Sequence, residues 1–202
     1  MLTKNQTEIL NLFRRNIFLK ISILQLAKKL KKSYQRMYES VKKLEKRKIL
    51  KIEKLGNTNL ISLILSRESI LYLSLIDEQE AINSNLPNFN KLMEIKEISQ
   101  YLILVAGSYA KAKQTKSSDL DLIIVIPNTE KAIEIQRLIE NLTLTFHPKV
   151  HLFVFNNKDV LEMLLEKKEN YGKEIFKNHI ILKNAYVYYE ILKEAVENGF
   201  QN

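Results

Sequence analysis

Gly107 and Ser108 close one apolar run, "YLILVAGS", and Asp119 and Asp121 open another, "DLDLIIVIP". These four residues are of types that could do chemistry together. A strand repeats every two residues, so both aspartates share one face, with Cβ atoms about 6–7 Å apart. Two carboxylates on one face repel each other, and a divalent cation relieves the repulsion. Hard oxygen ligands of this kind suit Mg²⁺. Gly107 allows the backbone to approach a phosphate closely. Ser108 can donate its hydroxyl and its backbone N–H to phosphate oxygens, and a helix over "SYAKAK" would aim its N-terminus at the same place. The ligand these residues predict is a metal-bridged triphosphate.

The arrangement Gly107-Ser108, ten intervening residues, then Asp119-x-Asp121 resembles the Gly-Ser…Asp-x-Asp signature of the DNA polymerase β-type nucleotidyltransferases. The flanking "SYAKAKQTKSSDLDLIIVI" is similar to the small, minimal prokaryotic members. The likeness covers residues 96–156 well and the following helices loosely. It implies that Gly107 and Ser108, helped by Ser118 and Lys111, grip the triphosphate of an NTP, with ATP the expected donor. It implies that Asp119 and Asp121 hold Mg²⁺ or Mn²⁺. A nucleoside monophosphate would then pass to a hydroxyl with release of pyrophosphate. The acceptor could be a protein side chain, an RNA end or a small molecule.

Two positions depart from the family pattern. Ala112 stands where the family often has Gly, a mild change, since Ala is small. The active enzymes also use a third carboxylate on a later strand. The corresponding run here, "KVHLFVF", has no acid, and His151 takes the expected place. A neutral imidazole can take a proton from a hydroxyl or bind a metal, Zn²⁺ or Mn²⁺ better than Mg²⁺. On the opposite reading, His151 fills a spot in a protein whose catalysis is weakened or lost. Asp159, in "NNKD", reads as a turn into a helix and not as the missing ligand.

The elements that must position these residues come from the rest of the chain. With 202 residues, 46% apolar and 27% charged, the composition is that of a globular protein of one medium or two small domains. The absence of cysteine excludes disulfides, thiolate catalysis and Cys-ligated zinc. No apolar run approaches the roughly 20 residues of a membrane span, and no signal-peptide core is present, so a cytoplasmic location is expected. Heavy use of Lys, Ile and Asn suggests an AT-rich prokaryotic genome.

Charge is unevenly spread. Residues 1–67 hold 17 Lys and Arg against 4 acids, and residues 68–202 hold 15 against 19. The basic part predicts a polyanion as its partner. Its pattern begins with a helix from Thr3 carrying Ile9, Leu10, Leu12 and Phe13. A second helix follows from Ser22 with Leu24, Ala27 and Leu30. A third has Tyr34, Met37, Tyr38, Val41 and Leu44 as one stripe. Two Ile/Leu-rich strands flank "GNTN", a hairpin turn. Three helices and a hairpin resemble a winged helix-turn-helix domain. That resemblance implies double-stranded DNA binding through Gln35, Arg36 and Lys43 on the third helix, with Lys54 and Asn57 near the wing tip.

The predicted fold class is α+β. Residues 1–66 form the winged helix-turn-helix, and residues 67–95 form linking helices broken at "NSNLPN". Residues 96–202 form a mixed-sheet nucleotidyltransferase domain flanked by helices. The segment after Asp159 reads as helical throughout, with His179 a hydrogen-bonded core residue. Tyr171, Lys173 and Lys177 are placed to line a nucleotide cleft, although a solvated face explains the lysines equally. The segment "YGKEIFKNHIILKNA" resembles archaeal relatives that join the two folds. Two functions stand at this point: a metal-dependent nucleotidyltransferase coupled to DNA binding, or a DNA-binding regulator whose transferase domain is weak, inactive or antitoxin-like. A homodimer is compatible with both.

Overall fold

Thr3 and Ser22 each start a helix in the same way. Both accept a hydrogen bond from the backbone N–H three residues on, and Gln6 and Gln25 return the bond to the cap's own N–H. This reciprocal box satisfies two of the donors that a helix start leaves open. The computed structural model describes residues 1–201, divided between two units, Met1–Ile76 and Asp77–Phe200.

In the first unit, α1 (Lys4–Arg15), α2 (Ile23–Lys29) and α3 (Tyr34–Lys46) precede a hairpin of β2 (Leu50–Leu55) and β3 (Thr58–Leu63). A two-residue strand, β1 (Ile21–Ser22), pairs with β3, giving an antiparallel sheet in the order β1-β3-β2. Leu55 faces Thr58 across the turn. Of the two turn residues only Gly56 has positive φ, +58°, the pattern of a II′ hairpin. Ile9, Leu10, Phe13, Met37, Val41 and Leu44 are fully buried, each contributing about 1.5–3 kcal/mol. Two sequence expectations change here. Leu24 is exposed while Ile23, Leu26 and Ala27 are buried, because the core-facing stripe of α2 runs through i, i+3 and i+4 from Ile23 and not from Leu24. Tyr34 is also exposed; it is the first helical residue of α3 and stacks on Tyr38 at 6.1 Å between ring centroids.

The helix α4 (Arg67–Ile82) buries only part of its apolar set. Leu71 and Leu75 are exposed, while Ser69, Ser74 and Asp77 are buried beside Ile70 and Leu73. The buried polar groups are satisfied. Ser69 Oγ donates to Ile64 O, Ser74 Oγ donates to Ile70 O, and Asp77 accepts from the Tyr189 hydroxyl. A satisfied polar atom removes most of the cost that would keep it outside.

The second unit continues through α5 (Phe89–Glu94), β4 (Leu102–Val105), α6 (Gly107–Ala110), β5 (Leu120–Ile126), α7 (Ala132–Thr143) and β6 (Val150–Asn156). It ends with α8 (Asn157–Leu165), α9 (Tyr171–Lys177), β7 (Ile180–Lys183) and α10 (Ala185–Glu197). The sheet order is β6-β5-β4-β7. β5 and β6 are parallel and the other pairs antiparallel, because α7 crosses over between β5 and β6 while β4 and β5 need no such return. This is the expected mixed sheet flanked by helices. Ile103, Val105, Leu122, Ile124, Leu152 and Val154 share one core with Ile139 of α7. One segment read as helix is a strand: Ile180–Lys183 pairs with β4, since so short an apolar run takes its state from its neighbours. No helix among the described residues is long and apolar enough to cross a membrane.

The expected helix over "SYAKAK" is a single turn, α6. It ends where Ala112 adopts φ +52° and its N–H donates to Tyr109 O at 3.2 Å. The departure from Gly is therefore not mild, because a left-handed L-residue costs about 1–2 kcal/mol. Glycine would relieve that strain but add about 0.4–1 kcal/mol of unfolded-chain entropy. Ala112→Gly should therefore stabilise the protein by roughly 0.5–1 kcal/mol, read as a higher denaturation midpoint. A lower midpoint would mean that packing of the Ala112 methyl outweighs its backbone strain.

Candidate functional site

On β5 every residue is buried except Asp121, which is partly exposed. Its backbone carbonyl accepts from Ala106 N–H at 3.0 Å, bringing the end of β4 against the start of β5. Gly107 follows with φ +64°. A Cβ built on Gly107 would lie 1.8 Å from Asp121 Oδ2 and 2.9 Å from its Cγ. Glycine is thus required twice here, by its backbone angle and by the carboxylate that occupies the side-chain space. Ser108 sits in the α6 turn, and its carbonyl accepts from Lys113 N–H at 2.9 Å. Asp119 is exposed one residue before β5.

The parallel register sets His151 of β6 directly beside Asp121. His151 Nδ1 lies 3.2 Å from Asp121 Oδ1. The imidazole side chain is 60% exposed and the carboxylate 27%, so the pair opens to solvent on the histidine side. Asp159 accepts from Asn156 N–H within the start of α8, as its turn-like setting predicts.

The other expected residues fall into two groups. Lys111 joins the site, but its ammonium is held by Glu174 of α9 at 2.5 Å. Ser118 does not present a free hydroxyl; its Oγ accepts from Thr115 N–H at 2.9 Å and shapes the loop before Asp119. Two α9 residues complete the surroundings. Tyr171 packs on Phe153 with ring centroids 4.8 Å apart. Burial pushes its phenol up to about 12, with the negative charges of Asp121 and Glu174 adding to the effect. Glu174 was missed at the sequence level, and its spacing of three from Tyr171 was the only available signal. Lys177 points elsewhere, to Glu169 at 3.0 Å.

Asp119 and Asp121 have the chemistry to hold a divalent cation. Asp121 Oδ2 is lodged in the space that Gly107 leaves. Among the described residues no group of three or more His, Asp or Glu gathers as metal ligands. A two-carboxylate site fits Mg²⁺, which takes one or two protein carboxylates and completes its octahedron with phosphate oxygens and water.

In the first unit Gln35, Arg36 and Lys43 are exposed on α3, and Lys54 and Asn57 are exposed on the hairpin. Gln35 Nε2 donates to Glu39 at 2.8 Å. A cleft of about 230 Å³ brings Tyr34 together with Asn57 and Asn59, so the start of α3 and the hairpin tip share one side of the unit.

Gly107→Ala tests the close approach. The added methyl must displace Asp121, so affinity for a metal–NTP complex measured by calorimetry should fall at least about tenfold, which is about 1.4 kcal/mol. Unchanged affinity with an intact circular-dichroism spectrum would show that the Gly107–Asp121 packing is irrelevant to binding.

A family model of the nucleotidyltransferase domain matches residues 90–193, just over half of the chain. No curated protein matches the sequence. The match spans Gly107, Ser108, Asp119, Asp121 and His151 together with all four strands of the mixed sheet. By this match the chain belongs to the nucleotidyltransferase domain family, of the DNA polymerase β type that its Gly-Ser…Asp-x-Asp motif resembles.

Proposed function

We propose that this protein transfers a nucleoside monophosphate from an NTP, ATP in the first instance, to a hydroxyl acceptor at the Gly107–Asp121–His151 site. The observation that carries this reading is the Asp121 carboxylate itself. One oxygen abuts Gly107 and the other lies 3.2 Å from His151 Nδ1. Gly107 and Ser108 hold the triphosphate, with Lys111 beside them. Asp119 and Asp121 hold Mg²⁺ or Mn²⁺. When bound, such an ion neutralises the charge that builds on the phosphate oxygens.

With Nδ1–H donating to Asp121 Oδ1, the lone pair of His151 is left on Nε2. Asp121 thereby fixes the tautomer, as carboxylates do for catalytic histidines elsewhere. Nε2 accepts the proton of the acceptor hydroxyl. The acceptor oxygen then bonds to the α-phosphorus, the bond from that phosphorus to the bridging oxygen breaks, and pyrophosphate leaves. His151 in this role replaces the third carboxylate of the family pattern.

Residues 1–66 serve as a winged helix-turn-helix that binds duplex DNA. Three features support this: three capped helices followed by a hairpin, the exposed Arg36 and Lys43 of α3, and the charge balance of the first 67 residues. Residues 67–95 link it to a transferase domain over residues 96–202. A second reading has one observation in its favour, the absence of any acid on β6. In that reading the domain binds nucleotide without turnover and the protein is a regulator, antitoxin-like in the extreme case.

Incubation with α-labelled NTP, Mg²⁺ or Mn²⁺ and cell extract separates the two. Label should pass to an acceptor with wild-type protein and not with Asp119→Ala, and His151→Ala should slow transfer about 10²–10⁴-fold, the usual worth of a general base. Nucleotide binding with no transfer by the wild type would favour the regulator. For the DNA-binding surface, Arg36→Ala with Lys43→Ala should weaken duplex binding and reduce the salt slope by roughly two, at about 0.9 per lost phosphate contact. An unchanged slope would remove α3 as the contact surface.

A further inference from the structure

An ion pair ties the turn at Gly107 and Ser108 to the helix α9. Lys111 closes α6, where its backbone N–H donates to Gly107 O at 3.2 Å. Its side chain reaches away from that turn, and the ammonium lies 2.5 Å from Glu174 Oε1. The two residues stand 63 positions apart, so the packing of α9 and no local spacing brings them together. Both remain accessible, Lys111 at 33% and Glu174 at 48% exposure.

An exposed pair of this kind contributes little to stability. Its consequence lies in the charge that a phosphate meets. On the transfer reading, on which this inference rests, Lys111 borders the triphosphate held at Gly107 and Ser108. With Glu174 against it, the ammonium offers no net charge, and Asp119 and Asp121 leave the site negative. Tyr171, which precedes Glu174 on α9, stands in that field. Its phenol is pushed up to about 12 by burial first, then by the charge of Asp121 and then by that of Glu174. A bare triphosphate entering here is repelled, since like charges cost what opposite charges gain. A triphosphate that arrives with a divalent cation brings the positive charge that the two aspartates need.

We propose that Glu174 is a specificity-determining residue: by holding Lys111 it denies a bare polyphosphate the cation at the turn, and so restricts entry to the metal-bound form. Without the carboxylate, Lys111 pairs with free polyphosphate, and the site fills with nucleotide that lacks the ion needed for transfer. The opposite role for Glu174 is a strut that steadies Lys111 for phosphate. The two roles predict changes of opposite sign.

Calorimetric titration of the full chain with inorganic tripolyphosphate in EDTA reads that sign. Glu174→Gln removes the charge and keeps the shape. It should tighten tripolyphosphate binding about fivefold, the upper range for an exposed pair. The gain should vanish when Lys111→Gln is added, because a pairwise effect shows only while both partners are present. Affinity for ATP in Mg²⁺ should change less than about twofold in Glu174→Gln. A variant that merely unfolds cannot gain affinity, so a gain is not a folding artefact. Weaker or unchanged tripolyphosphate binding by Glu174→Gln would overturn the proposal, the weaker result in favour of the strut. So would a gain that persists with Lys111→Gln, or an equal gain for ATP in Mg²⁺. If the wild type binds no ATP in Mg²⁺, the transfer reading fails separately, and the titration in EDTA still decides the role of Glu174.

Discussion

The close approach of Asp121 to Gly107 is the constraint on which the site depends. A carboxylate on a central strand is an unfavourable thing to bury, and β5 is otherwise closed to solvent along its whole length. Asp121 is accommodated because the neighbouring position has no side chain. Its Oδ2 occupies the volume a Cβ would fill, and its Oδ1 turns toward the open imidazole of His151. The same backbone turn that creates this space, with φ +64° at Gly107, sends the chain into α6. One residue type therefore shapes both the turn into α6 and the seat of the acid.

Around that contact the second unit is asymmetric. On the β4 side the loop that follows Gly107 is shaped by a strained Ala112 and by Lys111 held to Glu174. On the β6 side lie rings, covered in part by Tyr171 of α9. The helix α9 thus touches both flanks, through Glu174 to one and Tyr171 to the other. Gly172 sits between them, where a Cβ would come within 2.5 Å of the Met163 Cβ on α8. That packing fixes the start of α9, and through it the two side chains that border the acid pair.

The first unit follows a different logic. Its helices are specified largely by local signals: reciprocal caps at Thr3 and Ser22, a serine cap at Ser33, and apolar stripes closing on a small core. Its charged side chains lie outside that core, although Arg47 packs over the Tyr72 ring and bonds to Glu68. On the exposed side of α3, the Gln35 amide donates to Glu39. Local specification leaves the exposed face free to vary with the partner, which is where a binding surface is expected.

Sequence alone determined what depends on near neighbours and on residue type. The Gly-Ser and Asp-x-Asp pairs, the strands β4, β5 and β6, the helix starts at Thr3 and Ser22 and the split of charge all follow from spacing, caps and composition, and the tertiary structure keeps them. It also drew attention to His151, through the missing acid of β6. Features that depend on contacts between distant segments were decided by tertiary structure. Ile180–Lys183 became a strand because β4 offered it a partner. The helix α4 could bury Asp77 because the Tyr189 hydroxyl met it inside. Ala112 was forced left-handed by the turn it closes, which its small size had concealed. The 3.2 Å contact between His151 and Asp121 joins residues thirty positions apart. Pattern reading reports which residue types recur along one element, whereas such a contact is set by strand register and by the helices that cover the sheet.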